Sequence, residues 1–554
     1  MSTTTDDPPL RPDPAEPPAR AGVVLDGAGL TVEDVVRLAD GAAVPDVPAT
    51  ALERVRRSWR AAQRLAAAGR LYGRATGVGA HRSVPVGPDD EADHGLRLLR
   101  SHAGGAGALL PARQVRAMLA VRANQLLAGG SGIHPDIVHA LVEALRLGRV
   151  PAVPEYGGLG TGDLTALAAT GLTLLGERPW LPAPTPHFPT PRTPPTPDRV
   201  PVPVPGGDPS PAFAPAPVPE PRRDSGLTPA PGTAPATAPA PTPTPVPLRP
   251  GDALALLSSN ALVLGQAALA SHALGVLLRA THAVAALSLA AVSGSPETYA
   301  APVHALRPYP GAAHAAAEVR RLLGLPKRPA GSGRRIQDPY GFRAFPQVHG
   351  PTLDAADALR RIVETEINCP TENPLIAPDG TAAYHHGGFY AAPLALALDA
   401  LNLALLQTAQ LSAARLTALG RPDLTGLPAF LATGPAGSSG TMILEYTAGS
   451  ALAELRASAT PASAGHAVLS HGLEEAASFA SQAARQTLRA VDAYRTVLAC
   501  ELVTAVRALR LHPSPPRLPV LAVAAAALPA GTEDRPLTPD LERAQELLTT
   551  LAEL

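Results

Sequence analysis

Between residues 182 and 250 the chain carries 26 of its 65 prolines, in runs such as Pro-Val-Pro-Val-Pro. Proline has a fixed φ and no amide hydrogen, so this stretch can feed neither a helix nor a sheet ladder. It is expected to be an extended, semi-rigid linker. The linker splits the 554-residue chain but need not split the fold, because two flanks can share one core. The expected organisation is a disordered tail over 1–21, an N-terminal part over 22–181, the linker over 182–250, a helical part over 251–512, and a C-terminal turn and helix over 513–554.

On both sides of the linker the pattern is helical. Residues 113–128 place Val115, Met118, Leu119, Arg122, Leu126 and Leu127 at roughly helical spacing. Residues 390–419 and 473–511 are long, rich in Ala and Leu and free of proline after Pro393. Runs of that length exceed the usual globular helix and suggest a bundle of long rods, often oligomeric. Aromatic residues make up only 3% of the chain, which favours closely packed helices over a β-sandwich. The apolar stretch 253–292 is interrupted by Ser258, Ser259, Asn260, Gln266, His272, Arg279 and His282, so it is expected to be buried core helix and not a membrane span.

Several function classes are disfavoured. With 46 basic against 47 acidic residues there is no basic excess for nucleic acid. Two cysteines, Cys369 and Cys500, form at most one bridge and no metal-binding Cys pair. The 16 histidines are scattered, and the adjacent His385 and His386 are poorly spaced for joint ligation, so no metal is expected. The amino terminus has neither a basic nor an apolar signal region, and a cytoplasmic location is expected.

The chemistry-bearing segments are modest singly. Tyr72-Gly73-Arg74-Ala75-Thr76-Gly77-Val78-Gly79 is a glycine-rich loop with one tyrosine but no dinucleotide fingerprint, so no nucleotide is expected. Gly157-Gly158-Leu159-Gly160-Thr161-Gly162-Asp163-Leu164 ends at a helix start, where Thr161 or Asp163 is a candidate cap. Gln337 to Arg343 combines an acid, a phenol and a guanidinium, and Arg343 suits a bidentate carboxylate. Glu474 and Glu475 are read as first-turn acids of the helix over 473–511. His102 follows Ser101 ahead of a glycine pair, where a satisfied histidine is commoner than a catalyst.

In order, these segments resemble the histidine and aromatic amino-acid ammonia-lyases. The resemblance also takes in Pro346-Gln347-Val348, Glu372-Asn373-Pro374-Leu375, Gly387-Gly388-Phe389, Ser439-Gly440 with Met442-Ile443, and Glu533-Asp534-Arg535-Pro536-Leu537. It runs from about residue 22 to the end, skipping the proline-rich insertion. It implies a mainly α fold, a long antiparallel helix bundle, in a homotetramer whose active sites draw on more than one subunit. It implies elimination of ammonia from an amino acid to give the α,β-unsaturated acid. The electrophile would be an autocatalytic imidazolone, made when a peptide nitrogen attacks the carbonyl two residues earlier and two waters leave.

Carried onto this chain, the resemblance implies Tyr72 as the base for the β-proton and Tyr340 as a second site tyrosine. It implies Arg343 for the substrate carboxylate, and Asp163 and Phe389 as supports of ring formation, with Phe389 also lining the substrate pocket. The Ser101-His102 pair and Glu474 resemble the histidine-type members, with His102 facing substrate and Glu474 facing an imidazole or similar side chain.

The chain also departs from the family. Where the family has Ala-Ser-Gly, this segment is one residue shorter and has Gly160-Thr161-Gly162. Aligned from the right, it keeps a cyclising glycine and a dehydratable hydroxyl, and Thr161 would give a bulkier ethylidene. Aligned from the left, a triad residue is missing. Ser258-Ser259-Asn260 replaces the usual Asn-Gly-Thr, shifting the asparagine expected to orient the substrate amine to Asn260. Three readings stand. One is an ammonia-lyase for histidine or a related amino acid, with an aminomutase as variant. A second is the same fold without the ring, running another elimination or dehydration. The third is a non-catalytic tetrameric paralogue.

Overall fold

The computed structural model describes residues 21–69, 71–182, 241–331 and 334–554. Of the tail expected over 1–21 and the linker expected over 182–250, residues 1–20 and 183–240 lie outside these residues. Residues 241–250 are irregular but anchored: the Val246 N–H donates to Leu174 O at 3.0 Å, and Arg249 Nη1 lies 3.1 Å from Asp136 Oδ2.

The described residues are mainly helical. Before the linker come α1 (Val32–Ala39), α2 (Ala49–Ala68), α3 (Glu91–His102), α4 (Ala112–Leu127), α5 (Pro135–Arg146) and α6 (Leu164–Leu174). After it come α7 (Asp252–Leu257), α8 (Ala261–Ala291), α9 (Ala301–Ala305), α10 (Pro310–Leu322), α11 (Tyr340–Arg343), α12 (Phe345–Glu366) and α13 (Ala392–Leu419). The last are α14 (Pro422–Thr425), α15 (Ile443–Ser458), α16 (Ala480–Leu511), α17 (Pro519–Ala527) and α18 (Thr538–Leu551). Strands pair only two by two. Ala21–Val24 lies parallel to Ala43–Asp46, and the other three pairs are antiparallel.

The core is a set of long helices, in which α16 packs along α8, α13 and α15, α12 along α13, and α4 along α8. Alanine and glycine on α8 permit close approach. A Cβ on Gly265 would lie 2.9 Å from the backbone of Ala117 and Met118 on α4, so glycine is required where these axes meet. Residues 252–291 are long and apolar enough to cross a membrane, yet 78% of an apolar 18-residue window within them is buried inside the protein. Burial on all sides explains why α4 and α8 show no polar face.

Polar ties cross this apolar core. Arg415 of α13 and Glu501 of α16 form a fully buried pair, Nε to Oε1 at 2.6 Å and Nη2 to Oε2 at 2.8 Å. Ser288 and Ser412 donate to the same carboxylate, and Arg415 Nη1 reaches Gly341 O on α11 at 3.1 Å. A second buried pair, Arg122 with Glu372, also binds the carbonyls of Leu256 and Ala255 just before the break between α7 and α8.

Three expected boundaries move. The helix expected over 473–511 begins at Ala480, because Phe479 has φ +57° and ends the helix on that side. Glu474 therefore sits on a loop, bridged to Leu469, and is not a first-turn acid. The helix expected over 253–292 is two helices, broken at Ser258–Asn260. The carboxyl-terminal part holds two helices, α17 and α18.

Candidate active site

The glycine segment 157–163 crosses the start of α16 in a turn that only glycine can make. Gly160 has φ +79° and Gly162 has φ +109°. A Cβ on Gly160 would lie 2.1 Å from Ser478 Oγ and 2.6 Å from Ala480 N. Each face of the turn is tied down. Gly160 O accepts from Ser478 Oγ at 2.7 Å and from Ala391 N at 3.1 Å. The Gly162 N–H donates to Asn260 Oδ1 at 2.9 Å, and Asn260 Nδ2 donates to Phe389 O. Phe479 N donates to Leu159 O at 2.7 Å, and Asp163 N to Ser259 O at 2.7 Å. Four distant stretches, 158–163, 258–260, 389–391 and 478–482, thus meet around one turn.

Asp163 precedes α6 but does not cap it with its side chain. Its Oδ2 instead accepts from Leu262 N at 2.8 Å and Val263 N at 3.0 Å, capping α8. Among the described residues Asp163 Oδ1 has no partner, and neither does Ser481 Oγ. The two line a cavity of about 10 Å³ with Gly158 and Arg485. Burial dominates and pushes the Asp163 carboxyl up to about 7, against the two backbone donors that favour its charged form.

The tyrosine loop is ordered, and its ring is half-buried. The Gly79 N–H donates to Tyr72 Oη at 2.8 Å, and His385 meets the ring edge-on with centroids 6.3 Å apart. Ala80 N donates to Ser470 Oγ at 3.1 Å, which brings the loop against 469–474. Burial raises the Tyr72 phenol, the Gly79 N–H pulls the other way, and the Glu474 carboxylate raises it further. Tyr72 and Glu474 are therefore neighbours, although 402 residues separate them in sequence.

Tyr340, Arg343 and His102 stand apart. Tyr340 is exposed, with the Arg343 guanidinium stacked 4.3 Å over its ring. Arg343 Nε is buried without a partner, while Arg343 O takes the Thr298 hydroxyl. His102 ends α3 and its Nδ1 lies 2.9 Å from Leu98 O. Among the described residues no hydrogen bond, ion pair or ring contact joins these three to the glycine turn within one chain.

The family model for aromatic amino acid lyases matches residues 30–185 and 233–528. A histidine ammonia-lyase of Anaeromyxobacter dehalogenans is 35% identical over 544 residues, covering 95% of this chain and 98% of that protein. The chain belongs to the aromatic amino acid lyase family. The crystal structure of histidine ammonia-lyase from Trypanosoma cruzi matches at a TM-score of 0.77 and 25% identity, covering 96% of this chain and 93% of that one. A tyrosine aminomutase from Streptomyces globisporus matches at 0.79 and 26%, covering 96% and 97%.

The imidazolone that the resemblance implies needs a dehydratable hydroxyl followed by a glycine nitrogen, and the turn at 160–162 offers both. A β-hydroxyl at Thr161 lies between two glycines whose backbone atoms are individually hydrogen-bonded. Asn260 has both ends of its amide engaged by backbone, at Gly162 and Phe389, which turns it toward the glycine segment. Sequence reasoning missed Ser478, a small polar residue in an apolar run with no motif to mark it. It also missed His385, which it considered as a metal ligand beside His386. Its neighbour His386 is bound to Glu372 O at 2.8 Å. Asp534, in the terminal motif of the resemblance, accepts from Ser439 N at 2.8 Å and Gly440 N at 2.9 Å, so two of the quoted motifs hold each other. Cys369 and Cys500 are both free. Among the described residues no three His, Cys, Asp or Glu side chains are grouped to hold a metal ion.

Proposed function

We propose that this lyase removes ammonia from histidine or a closely related amino acid, in active sites shared between the subunits of a homotetramer. An imidazolone formed from Gly160, Thr161 and Gly162 would supply the electrophile that turns an amine into a leaving group. The protein's own residues do the rest. Tyr72 takes the β-proton, with the Gly79 N–H placed to stabilise its phenolate oxygen. Glu474, beside Tyr72, together with His102, faces the substrate's side chain, and a carboxylate there suits an imidazole.

Arg343 binds the substrate carboxylate. Its buried Nε has no partner within the chain, and a guanidinium stacked on Tyr340 is held flat for a bidentate contact. Among the described residues no hydrogen bond, ion pair or ring contact joins Arg343 or Tyr340 to the glycine turn within one chain, and we assign both to the site of another subunit. Asp163, Asn260 and Phe389 hold the turn.

The observation that carries this reading is the glycine turn, with Gly160 O and Gly162 N–H each held by its own partners in a chain of this family. The test is the mass of the tryptic peptide Val150–Arg192, together with ammonia release from L-histidine. The expected peptide is lighter by two waters, and Thr161→Ala and Tyr72→Phe abolish ammonia release. Release that survives Thr161→Ala on an unmodified peptide would establish a ring-free elimination instead. No release from any amino acid would favour the non-catalytic reading.

A further inference from the structure

The carbonyl of Gly160 sits where two helices begin. Ala391, which precedes α13, donates its N–H at 3.1 Å, and Ser478, two residues before α16, donates its hydroxyl at 2.7 Å. Ala480 N, in the first turn of α16, points at the acceptor side of Ser478 Oγ at 3.4 Å, which leaves the hydroxyl hydrogen aimed at Gly160 O. Ser478 is buried, 4% exposed, so no bulk water competes for this bond. Both helix starts carry partial positive charge, and their helices run 28 and 32 residues. On the nucleophile's side, Asn260 Oδ1 accepts the Gly162 N–H and draws electron density toward that nitrogen.

We propose that the Ser478 hydroxyl and the Ala391 N–H form an oxyanion cradle on Gly160 O that drives closure of the ring between Gly162 N and Gly160 C. This rests on the reading that the segment cyclises. The lone pair of Gly162 N adds to Gly160 C, and the carbonyl pair moves onto Gly160 O, where both donors already point. The protons of Gly162 N and Thr161 N then leave with that oxygen as one water, as the bond from Gly160 C to Thr161 N becomes double. The second water is the Thr161 hydroxyl with the Thr161 Cα proton. No oxidant or other reactant is needed.

The cradle also accounts for the glycine at 160. With Ser478 Oγ 2.1 Å from the position of a Cβ, an alanine there would push the hydroxyl off the carbonyl. Ser478 is thus a positioning residue for maturation. Once Gly160 O has left as water, Ser478 has no further part in turnover.

The experiment is a maturation time course on the full-length protein. Translation is stopped, samples are taken, and the fraction of peptide Val150–Arg192 lacking two waters is read by mass. Removal of one oxyanion donor elsewhere costs about 10²–10³ in rate, and Ser478→Ala is expected to slow maturation by that order. Ser478→Thr, which keeps the hydroxyl, restores most of the rate. Gly160→Ala matures slowly although it restores the residue usual in the family. Ammonia release per matured ring is the same in Ser478→Ala as in the unaltered protein, which separates a maturation role from a general loosening of the site.

Maturation of Ser478→Ala at the unaltered rate overturns the cradle and leaves the lyase reading standing, as does a Ser478→Thr variant as slow as Ser478→Ala. An unaltered protein that never loses water overturns both.

Discussion

Asp163 offers the sharpest quantitative test, because two opposed terms act on one buried carboxyl. Its Oδ2 holds two backbone donors at the start of α8, at 2.8 and 3.0 Å, while its Oδ1 faces an unpartnered Ser481 Oγ. Asp163→Ala strips both donors of their acceptor. At about 1–3 kcal/mol for each buried group left unsatisfied, the loss is about 2–6 kcal/mol. Asp163→Asn keeps an oxygen for the two donors and offers an amide hydrogen toward Ser481. It also removes the cost of a buried charge.

That cost has a sign and a window. The carboxyl moves from 3.8 in the unfolded chain to about 7 in the fold. Between those values the native protein keeps a proton that the unfolded chain has lost, so this group's stabilisation is complete below 3.8 and is lost as pH rises to about 7. A displacement of about three pH units amounts to about 4 kcal/mol. The assay is guanidinium denaturation from about pH 4 to about pH 8 at one fixed protomer concentration, since oligomers gain stability by mass action. The stability of Asp163→Asn relative to the unaltered protein is expected to rise by about 4 kcal/mol across that range. A difference that stays constant with pH, or an Asn variant as unstable as the Ala variant at alkaline pH, would refute the argument.

Other outcomes follow from the same geometry. Burial and Glu474 hold the Tyr72 phenol above its ordinary value of 10.0. The kcat/KM for ammonia release should therefore climb with pH throughout the neutral range, and Glu474→Gln should move that limb to lower pH. A profile that is level from neutral upward would remove Tyr72 as the base. Glu501→Ala leaves Arg415, Ser288 and Ser412 without their shared acceptor and should cost about 3–5 kcal/mol in denaturation, the scale for a broken buried pair. Co-expression of Tyr72→Phe with Arg343→Ala should restore activity to about a quarter of the sites, as random mixing in a symmetric oligomer allows. No recovery would place both residues in the site of one chain.

Much of the helical frame was legible because long Ala/Leu runs with no proline beyond a first turn have few alternatives. Residues 113–128 and 390–419 lie within a residue or two of α4 and α13. The misplaced start of α16 has a local cause. Nothing in Glu474 to Phe479 resembles a helix stop, yet Phe479 takes a left-handed conformation while its N–H bonds Leu159 O, a tertiary contact 320 residues away in sequence. The same limit hid the pairing of Tyr72 with Glu474, which depends on Ala80 meeting Ser470 across 390 residues. Motif order located both segments, but their meeting is a property of the packed bundle. Asp163 was expected to serve α6 because a cap is sought in the next helix. It serves α8, 99 residues on, because the break at Ser258–Asn260 brings that helix start beside it.

The shortened triad shows how a local deviation can be a structural solution. The turn reverses within Gly160 and Gly162, at φ +79° and +109°, where a residue with a Cβ is strained. Gly160 also lies hard against the start of α16, where Ser478 and Ala480 occupy the space an alanine side chain would need. Length, glycine content and the packing of α16 are therefore one constraint. Restoring alanine at 160 without the missing residue would clash, and inserting a residue without alanine would move Gly160 O away from Ser478 and Ala391. The glycine at 160 and the two donors on its carbonyl are therefore a single packing solution: a side chain at 160 would displace Ser478, and with it one of the two holds on Gly160 O.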